Sequence, residues 1–281
     1  MILGIDLGGT NIRIGKVKEG VIVEKISKPS PSELSLEESL AYLKDAIRDM
    51  LTDEVAGIGI GVPSVLDISR GIVYNVTNIP SWEEVYLRDI LQKEFRLPVY
   101  INNDSNCFTL GEKEYGLGRD YKDLIGVTLG TGVGAGVVIN GSLYGGRNTG
   151  AGEIGCIPYL DATLEDYCGS NFFVSHYHTT GKDLADKANE GDAFALKIWG
   201  EFGTHMGKLI QAILYVYDPQ LIILGGGIAD AYVFFEKDMK ETMRLFPYPE
   251  TVKNIEVKVS KNADVSMLGA AALVSKKIST Y

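Results

Sequence analysis

The sequence predicts an α/β protein built as two lobes around a cleft, and three observations predict it. At 281 residues the chain is long enough for two units, each with its own core. Strand-like apolar runs alternate with stretches of helical periodicity, which is the pattern of helix-covered sheets. One local unit also occurs twice: an apolar strand, a turn carrying Gly and Thr, and a returning strand, first around Asp6 and again around Thr131. We read this as an internal duplication, although the two copies share few residues.

Residues 1–7 (MILGIDL) are an apolar run, Gly8, Gly9 and Thr10 a turn, and residues 11–17 alternate apolar and polar as a half-buried strand does. Together they read as a β-hairpin with Asp6 at its tip, continued by a third strand over 21–27. Ser35 ends a loop and suits a helix cap, with Glu37 and Glu38 in the first turn where the helix dipole favours acids. Leu36, Leu40, Leu43, Ile47 and Leu51 then recur at helical spacing. Residues 55–62 (VAGIGIGV) form a buried strand stopped by Pro63, and 87–95 a second helix. A strand over 98–101 delivers Asn102, Asn103 and Asp104 at its C-terminal end, where ligands gather in open α/β sheets.

A helix over 107–118 is expected to cross between the lobes. Beyond it, strands at 124–129 and 134–139 flank Gly130-Thr131-Gly132, and Asn140-Gly141 closes a hairpin. Residues 192–217 form a long helix, 221–224 a strand running into Gly225-Gly226-Gly227, and 264–277 a final helix. The expected lobes are residues 1–107 and 108–265, with a helix over 266–281 packing back on the first.

Composition narrows the function classes. Hydrophobic residues make up 45% and charged residues 23%, as in ordinary globular chains. A net charge of −10 argues against a broad nucleic-acid surface, but not against a nucleotide held by backbone N–H groups and a metal ion. No apolar run approaches the roughly 18 residues of a membrane span, and no signal-peptide pattern follows Met1. Cys107, Cys156 and Cys168 are odd in number and widely spaced, so a disulfide framework is not expected and the cytoplasm is the expected compartment.

The chemistry-bearing residues fall at the turns. Phosphates need converging N–H donors and close backbone approach, which Gly8, Gly9, Gly130 and Gly132 permit, and Thr10 and Thr131 add hydroxyl donors. Asp6 suits Mg²⁺ held through water, since Mg²⁺ keeps most of its hydration shell. No Gly-Lys-Ser/Thr follows either turn, so neither is a P-loop, and the glycines open a strand rather than a helix, unlike a dinucleotide site. Gly225-Gly226-Gly227 carries no side chain that would block a flat ring, although a strand-to-helix turn explains it equally. Asn103-Asp104 pairs a group that donates and accepts with a carboxylate able to take a proton from a hydroxyl. Glu153, flanked by glycines, suits close approach to a polar ligand.

In this order the motifs resemble the ROK family, named for repressors, open reading frames and kinases. GIDLGGTNIR at 4–13 and TLGTGVGAGVVINGSLYGG at 128–146 resemble its two phosphate motifs, and DPQLIILGGG at 218–227 its adenosine motif. GIGIGVPSVLD at 57–67 is similar to its sugar-loop strand, NND at 102–104 to its catalytic segment, and GAGEIG at 150–155 to its sugar-binding motif. The resemblance implies an actin-like ATPase (ribonuclease H-like) fold with ATP, Mg²⁺ and a sugar in the cleft, and commonly a homodimer. It implies Asp104 as general base, with Ser64, Asn78, Asn103, Asp104, Glu153 and Cys156 as sugar contacts. Nucleotide contacts fall on Asp6, Gly8, Gly9, Thr10, Asn11, Arg13, Gly130, Thr131, Gly132, Gly225, Gly226 and Gly227, with Asp6 also in the Mg²⁺-water role. Lobe closure would exclude water and spare ATP from hydrolysis.

The departures bear on substrate. Where the family reads Glu-x-Gly-His, this chain has Cys156, although that His touches sugar and ligates a structural zinc. Read in register, two of the three further zinc cysteines are replaced by Asp166 and Phe173, and the second sugar-binding Glu by Ser175. The usual zinc site is therefore expected to be dismantled, with Phe172-Phe173 supplying packing in its place. An unusual site built from Cys156, Cys168, His176 and His178 is the alternative. Each lost hydrogen bond with a charged partner is worth about 1.5–3 kcal/mol, so sugar preference should differ from an ordinary glucokinase of the family. Glucose, allose, mannose, fructose and N-acetylmannosamine all stay open, and Ile157-Pro158 resembles allose kinases weakly. The leading reading is ATP-dependent phosphorylation of a hexose, at O6. The alternatives are a sugar-responsive transcription regulator, which would need an N-terminal DNA-binding extension before Asp6, and a non-catalytic sugar sensor.

Overall fold

A computed structural model describes residues 1–147 and 149–278. The first half opens as a meander of β1 (Ile2–Leu7), β2 (Asn11–Lys18) and β3 (Val21–Pro29). It continues through α1 (Leu36–Arg48), β4 (Ile58–Val62), the short strands β5 (Val65–Asp67), β6 (Ile72–Tyr74) and β7 (Glu84–Val85), α2 (Leu87–Phe95), β8 (Val99–Asn103) and α3 (Asp104–Tyr115). Ser35 caps α1 in a capping box with Glu38, and the helix ends at Arg48, one turn before Leu51.

The second half repeats the plan. β9 (Leu124–Leu129), β10 (Val133–Ile139) and β11 (Ser142–Leu143) form a meander. An inserted segment follows: β12 (Pro158–Tyr159), β13 (Ala162–Thr163), α4 (Leu164–Cys168), α5 (Asn171–Tyr177) and α6 (Gly181–Asn189). Then come α7 (Ala193–Tyr217), β14 (Leu221–Gly225), α8 (Tyr232–Met243), α9 (Pro249–Asn254), β15 (Glu256–Val259) and α10 (Val265–Ile278). The last three residues of the expected 266–281 helix lie outside the described residues.

The duplication is explicit in the sheets. One runs β3-β2-β1-β4-β8, the other β11-β10-β9-β14-β15. In each, the first three strands are antiparallel and the next two parallel. Each sheet buries its own apolar cluster, around Ile5, Ile60 and Leu91 in the first and around Phe173, Phe202 and Ile210 in the second. Each half ends in a helix, α3 or α10, and these two helices cross. A Cβ added at Gly269 would lie 1.7 Å from the Cys107 carbonyl oxygen, and one at Gly111 2.1 Å from that of Val265. The crossing is backbone on backbone. α10 also lies against β1 and β4, where Gly4 and Gly59 admit its Met267 and Ala270 carbonyls. A second link spans the halves at the cleft: the Leu66 N–H, on β5, donates to Thr149 Oγ1 at 3.0 Å.

We expect Gly269→Ala to destabilise the protein by at least about 1–3 kcal/mol, because the new methyl meets backbone that cannot rotate away. Gly227→Ala, whose Cβ would meet nothing within 4 Å, should leave the melting temperature unchanged. Thermal melts of the two variants check this; equal melting temperatures would refute the crossing as a packing constraint.

Candidate active site

Asp104 stands where three elements meet. β8 delivers Asn103 and Asp104 at its C-terminal end, and α3 starts at once on Asp104. Asn103 is the cap: its Oδ1 accepts the N–H groups of Ser105 (2.9 Å) and Asn106 (3.2 Å), and its Nδ2 donates to the Ser64 carbonyl (3.3 Å). The acceptor half of the Asn103 amide is thus committed to the helix, leaving an N–H for a ligand. Asn102 supports the turn, its Oδ1 accepting from the Asn103 N–H (2.8 Å) and from Asn106 Nδ2 (3.0 Å).

Asp104 borders a cavity of about 1060 Å³ between the two sheets, shared with Gly9, Thr10, Ser64 and Asn78 from the first half and Gly130, Thr131, Gly132, Glu153 and Gly226 from the second. The two phosphate turns predicted from sequence therefore face one space. Burial, and then the nearby Asp6 carboxylate, push the Asp104 carboxyl up from its ordinary range to about 6, with Glu153 acting in the same direction. Glu153 is itself raised, by burial and by Glu165.

Other expected contacts sit differently. Asp6 is only 7% exposed, and its Oδ2 accepts both Nε (3.1 Å) and Nη2 (2.5 Å) of Arg13, while Arg13 Nη1 donates to the Ala263 carbonyl (2.7 Å). Arg13 is occupied in orienting Asp6, whose Oδ1 is left for a metal-bound water. That fits Mg²⁺, which takes one or two carboxylates plus phosphates and waters. Asn11 closes the first turn, its carbonyl accepting the Gly8 N–H at 2.9 Å. Gly226 has φ +85°, a conformation that favours glycine, and Gly227 is open, whereas a Cβ at Gly225 would strike the Phe108 ring at 2.5 Å. Gly225 is a packing glycine. Asn78 lies on the first turn, its Nδ2 2.7 Å from a Gly9 Cβ position. The single Ser64 hydroxyl proton faces the carbonyls of Val65 and Tyr74, so its own carbonyl, which accepts from Asn103, is the more useful group. Cys156 is exposed outside the cavity lining, with Sγ 3.9 Å from Glu153 Oε2.

The in-register reading of residues 156–175 needs correction. Ser175 sits exposed on α5 and donates to Asn171 Oδ1 (2.6 Å), away from the cavity lining. The cavity's second glutamate, beside Glu153, is Glu165, whose Oε2 accepts the Val133 N–H at 2.8 Å and would meet a Cβ at Gly132 at 2.3 Å. The β12–β13 hairpin turns on just Leu160 and Asp161, so the chain returns early and α4 carries Glu165 to the cavity. The signal that could have found Glu165 is the Thr163-x-x-Asp166 capping pattern, which starts α4 at Leu164 and puts Glu165 in its first turn. Asp166 is an α4 cap, accepting Thr163 N–H (3.1 Å), Thr163 Oγ1 (2.7 Å) and Asn171 Nδ2 (2.9 Å). Phe173 is fully buried, 5.1 Å from Phe202 and 4.8 Å from Trp199 between ring centroids. His176 is exposed beside Tyr167, and His178 ends α5 at φ +51°. Among the described residues no three His, Cys, Asp or Glu side chains group to hold a metal ion. No helix among them is long and apolar enough to cross a membrane.

The ROK family model matches residues 2–277. The chain belongs to the ROK family. Its relatives include a glucokinase of Thermotoga maritima, 30% identical over 99% of this chain and 98% of that one. Among solved structures, a ROK glucokinase of Streptomyces griseus in complex with glucose and AMPPNP superposes with a TM-score of 0.84, 26% identical and covering 97% of this chain and 98% of that one. A Cytophaga hutchinsonii protein described as a candidate sugar kinase reaches 0.88 at 32% identity, covering 98% and 99%. The fold is the actin-like ATPase fold that the motifs imply.

Because the Asp104 carboxyl holds its proton more tightly in the folded state than in the unfolded chain, it contributes stability that is complete below about pH 4 and is lost as pH rises through about 6. Asp104→Asn should therefore melt higher than wild type at pH 8, with the gap closing below pH 4. A variant that melts lower at pH 8 would contradict the burial and charge crowding assigned to this side chain.

Proposed function

We propose that this protein transfers the γ-phosphoryl group of ATP to a hydroxyl of a hexose, at O6, with Asp104 as general base. The observation that carries the reading is a raised-pKa carboxylate on the same cavity as two glycine–threonine turns, one from each sheet. The hydroxyl gives its proton to Asp104 as its oxygen bonds to the γ-phosphorus. The bond from that phosphorus to the β–γ bridging oxygen breaks, and ADP leaves. The backbone N–H groups of both turns and the hydroxyls of Thr10 and Thr131 are suited to the phosphates, and Gly226-Gly227 to the adenosine. Asp6 would hold Mg²⁺ through water, and the ion would neutralise charge on the phosphates. Glu153 and Glu165 accept hydroxyls of the sugar, aided by the Asn103 amide N–H.

Glu165 restores the acid that the residue-by-residue reading had lost, so glucose stands first among the candidate sugars. Cys156 stands outside the lining and bears on the pocket only beside Glu153, and allose, mannose, fructose and N-acetylmannosamine remain the comparison set. Two glycine–threonine turns and a raised carboxyl on one cavity favour the kinase over a sugar-responsive regulator. We also propose that the protein works as a homodimer, and that aromatic packing around Phe173 replaces a structural zinc.

Sugar-dependent ADP release should be saturable and fall by about 10²–10⁴-fold in Asp104→Asn, with AMPPNP binding retained. Wild-type turnover in that variant would end the general-base reading. In wild type, kcat/KM should drop tenfold per pH unit below about pH 6, where the base is protonated. Glu165→Gln should raise the sugar KM more than the ATP KM; the reverse would place Glu165 with the nucleotide. Metal analysis of purified protein should find far less than one zinc per chain, and stoichiometric zinc would refute the packing replacement.

A further inference from the structure

We propose that the Ser105–Thr128 hydroxyl pair is a positioning device that fixes the general base against the second phosphate turn. Ser105 directly follows Asp104 at the start of α3, and its N–H is shared between Asp104 Oδ1 (2.8 Å) and the capping Asn103 Oδ1 (2.9 Å). Its Oγ lies 2.8 Å from Thr128 Oγ1, near the C-terminal end of β9, two residues before Gly130. Thr128 Oγ1 lies 3.3 Å from the Gly134 carbonyl on β10, across the turn. Each hydroxyl has one proton. With that of Thr128 on the carbonyl, the Ser105 hydroxyl donates to Thr128. A continuous chain then runs from the base carboxylate, through Ser105 and Thr128, to the far strand of the phosphate hairpin.

The fit has no slack. A Cβ at residue 134 would lie 2.1 Å from Ser105 Oγ, so only glycine there lets the hydroxyls meet. One turn further along α3, the Thr109 hydroxyl lies 2.3 Å from the Cβ positions of both Gly126 and Gly136. The first two turns of α3 thus rest in a glycine trough on β9 and β10, although Asp104 is delivered by β8 of the other sheet. Ser105 is 4% exposed, so water competes little for the bond. In-line transfer needs base, acceptor oxygen and phosphorus in register, and a misplacement of about 1 Å costs on the order of 100-fold in rate.

The test compares Ser105→Ala, Thr128→Val, the double variant and Thr128→Ser. Each of the first two should lower kcat about tenfold or more while leaving the sugar KM within about twofold, since the bond acts on geometry rather than on ground-state binding. Sugar-independent ATP hydrolysis should rise relative to sugar phosphorylation. The double variant should be no slower than the slower single, because both break the same Ser105–Thr128 bond, and Thr128→Ser should recover wild-type kcat. Multiplicative losses in the double variant, or a Thr128→Ser variant as slow as Thr128→Val, would overturn the proposal. Should Thr128→Val fail to fold, Ser105→Ala decides alone: unchanged kcat and unchanged coupling to sugar overturn it. The inference rests on Asp104 as base. Turnover retained in Asp104→Asn defeats that reading, whereas an inactive Asp104→Asn beside a fully active Ser105→Ala defeats only the positioning role.

Discussion

The contact on which the rest depends is the burial of α3 between two glycine-lined surfaces. On one side Gly269 brings α10 within backbone contact, and on the other Gly126, Gly134 and Gly136 receive Ser105 and Thr109. A helix normally stands off its neighbours by the width of its side chains. Here the side chains are missing at the contact points, so α3 is held by its backbone and two short hydroxyls. Its first residue is Asp104, and that carboxylate inherits the precision of the packing. The glycines carry a conformational cost in the unfolded chain, which the close approach offsets through dispersion and hydrogen bonding.

The cavity that results is crowded with like charge. Asp104, Glu153 and Glu165 line it, Asp6 acts on Asp104 from close by, and Arg13 is the cation bonded to Asp6. Such crowding disfavours ionisation, which is why burial and neighbours raise Asp104 toward the pH range where a base works best. It also prepares the site for partners that relieve the repulsion: hydroxyl donors and a cation-bearing nucleotide. The raised Asp104 carboxyl and the site's fitness for this chemistry have the same electrostatic origin.

The insert between β11 and α7 solves a different problem. It must hold Glu153 and Glu165 to the cavity edge through a short hairpin and two short helices. Caps from Thr163 and Asp166, together with the Phe172–Phe173–Trp199–Phe202 stack, hold it in place. Aromatic rings bury much area at little conformational cost, so packing of this density can replace a cross-link.

By itself the sequence determined the repeated strand–turn–strand units, the strand end at Asn103-Asp104, the capped helix after Ser35 and the family. All of these are local: alternation, glycine turns and capping patterns act over a few residues, and their physics is complete within the segment. Tertiary structure decided what depends on distant partners. Gly225 packs on Phe108 instead of opening to a ligand; Asn103 turns its oxygen into the helix; Arg13 serves Asp6; the three short strands β5 to β7 form only against the rest of the cavity wall. Glu165 was missed because register along a chain does not measure which side chain a hairpin and a short helix return to the cavity. Which carboxylates share a cavity is fixed by sheet pairing and helix crossing, and those are properties of the whole fold.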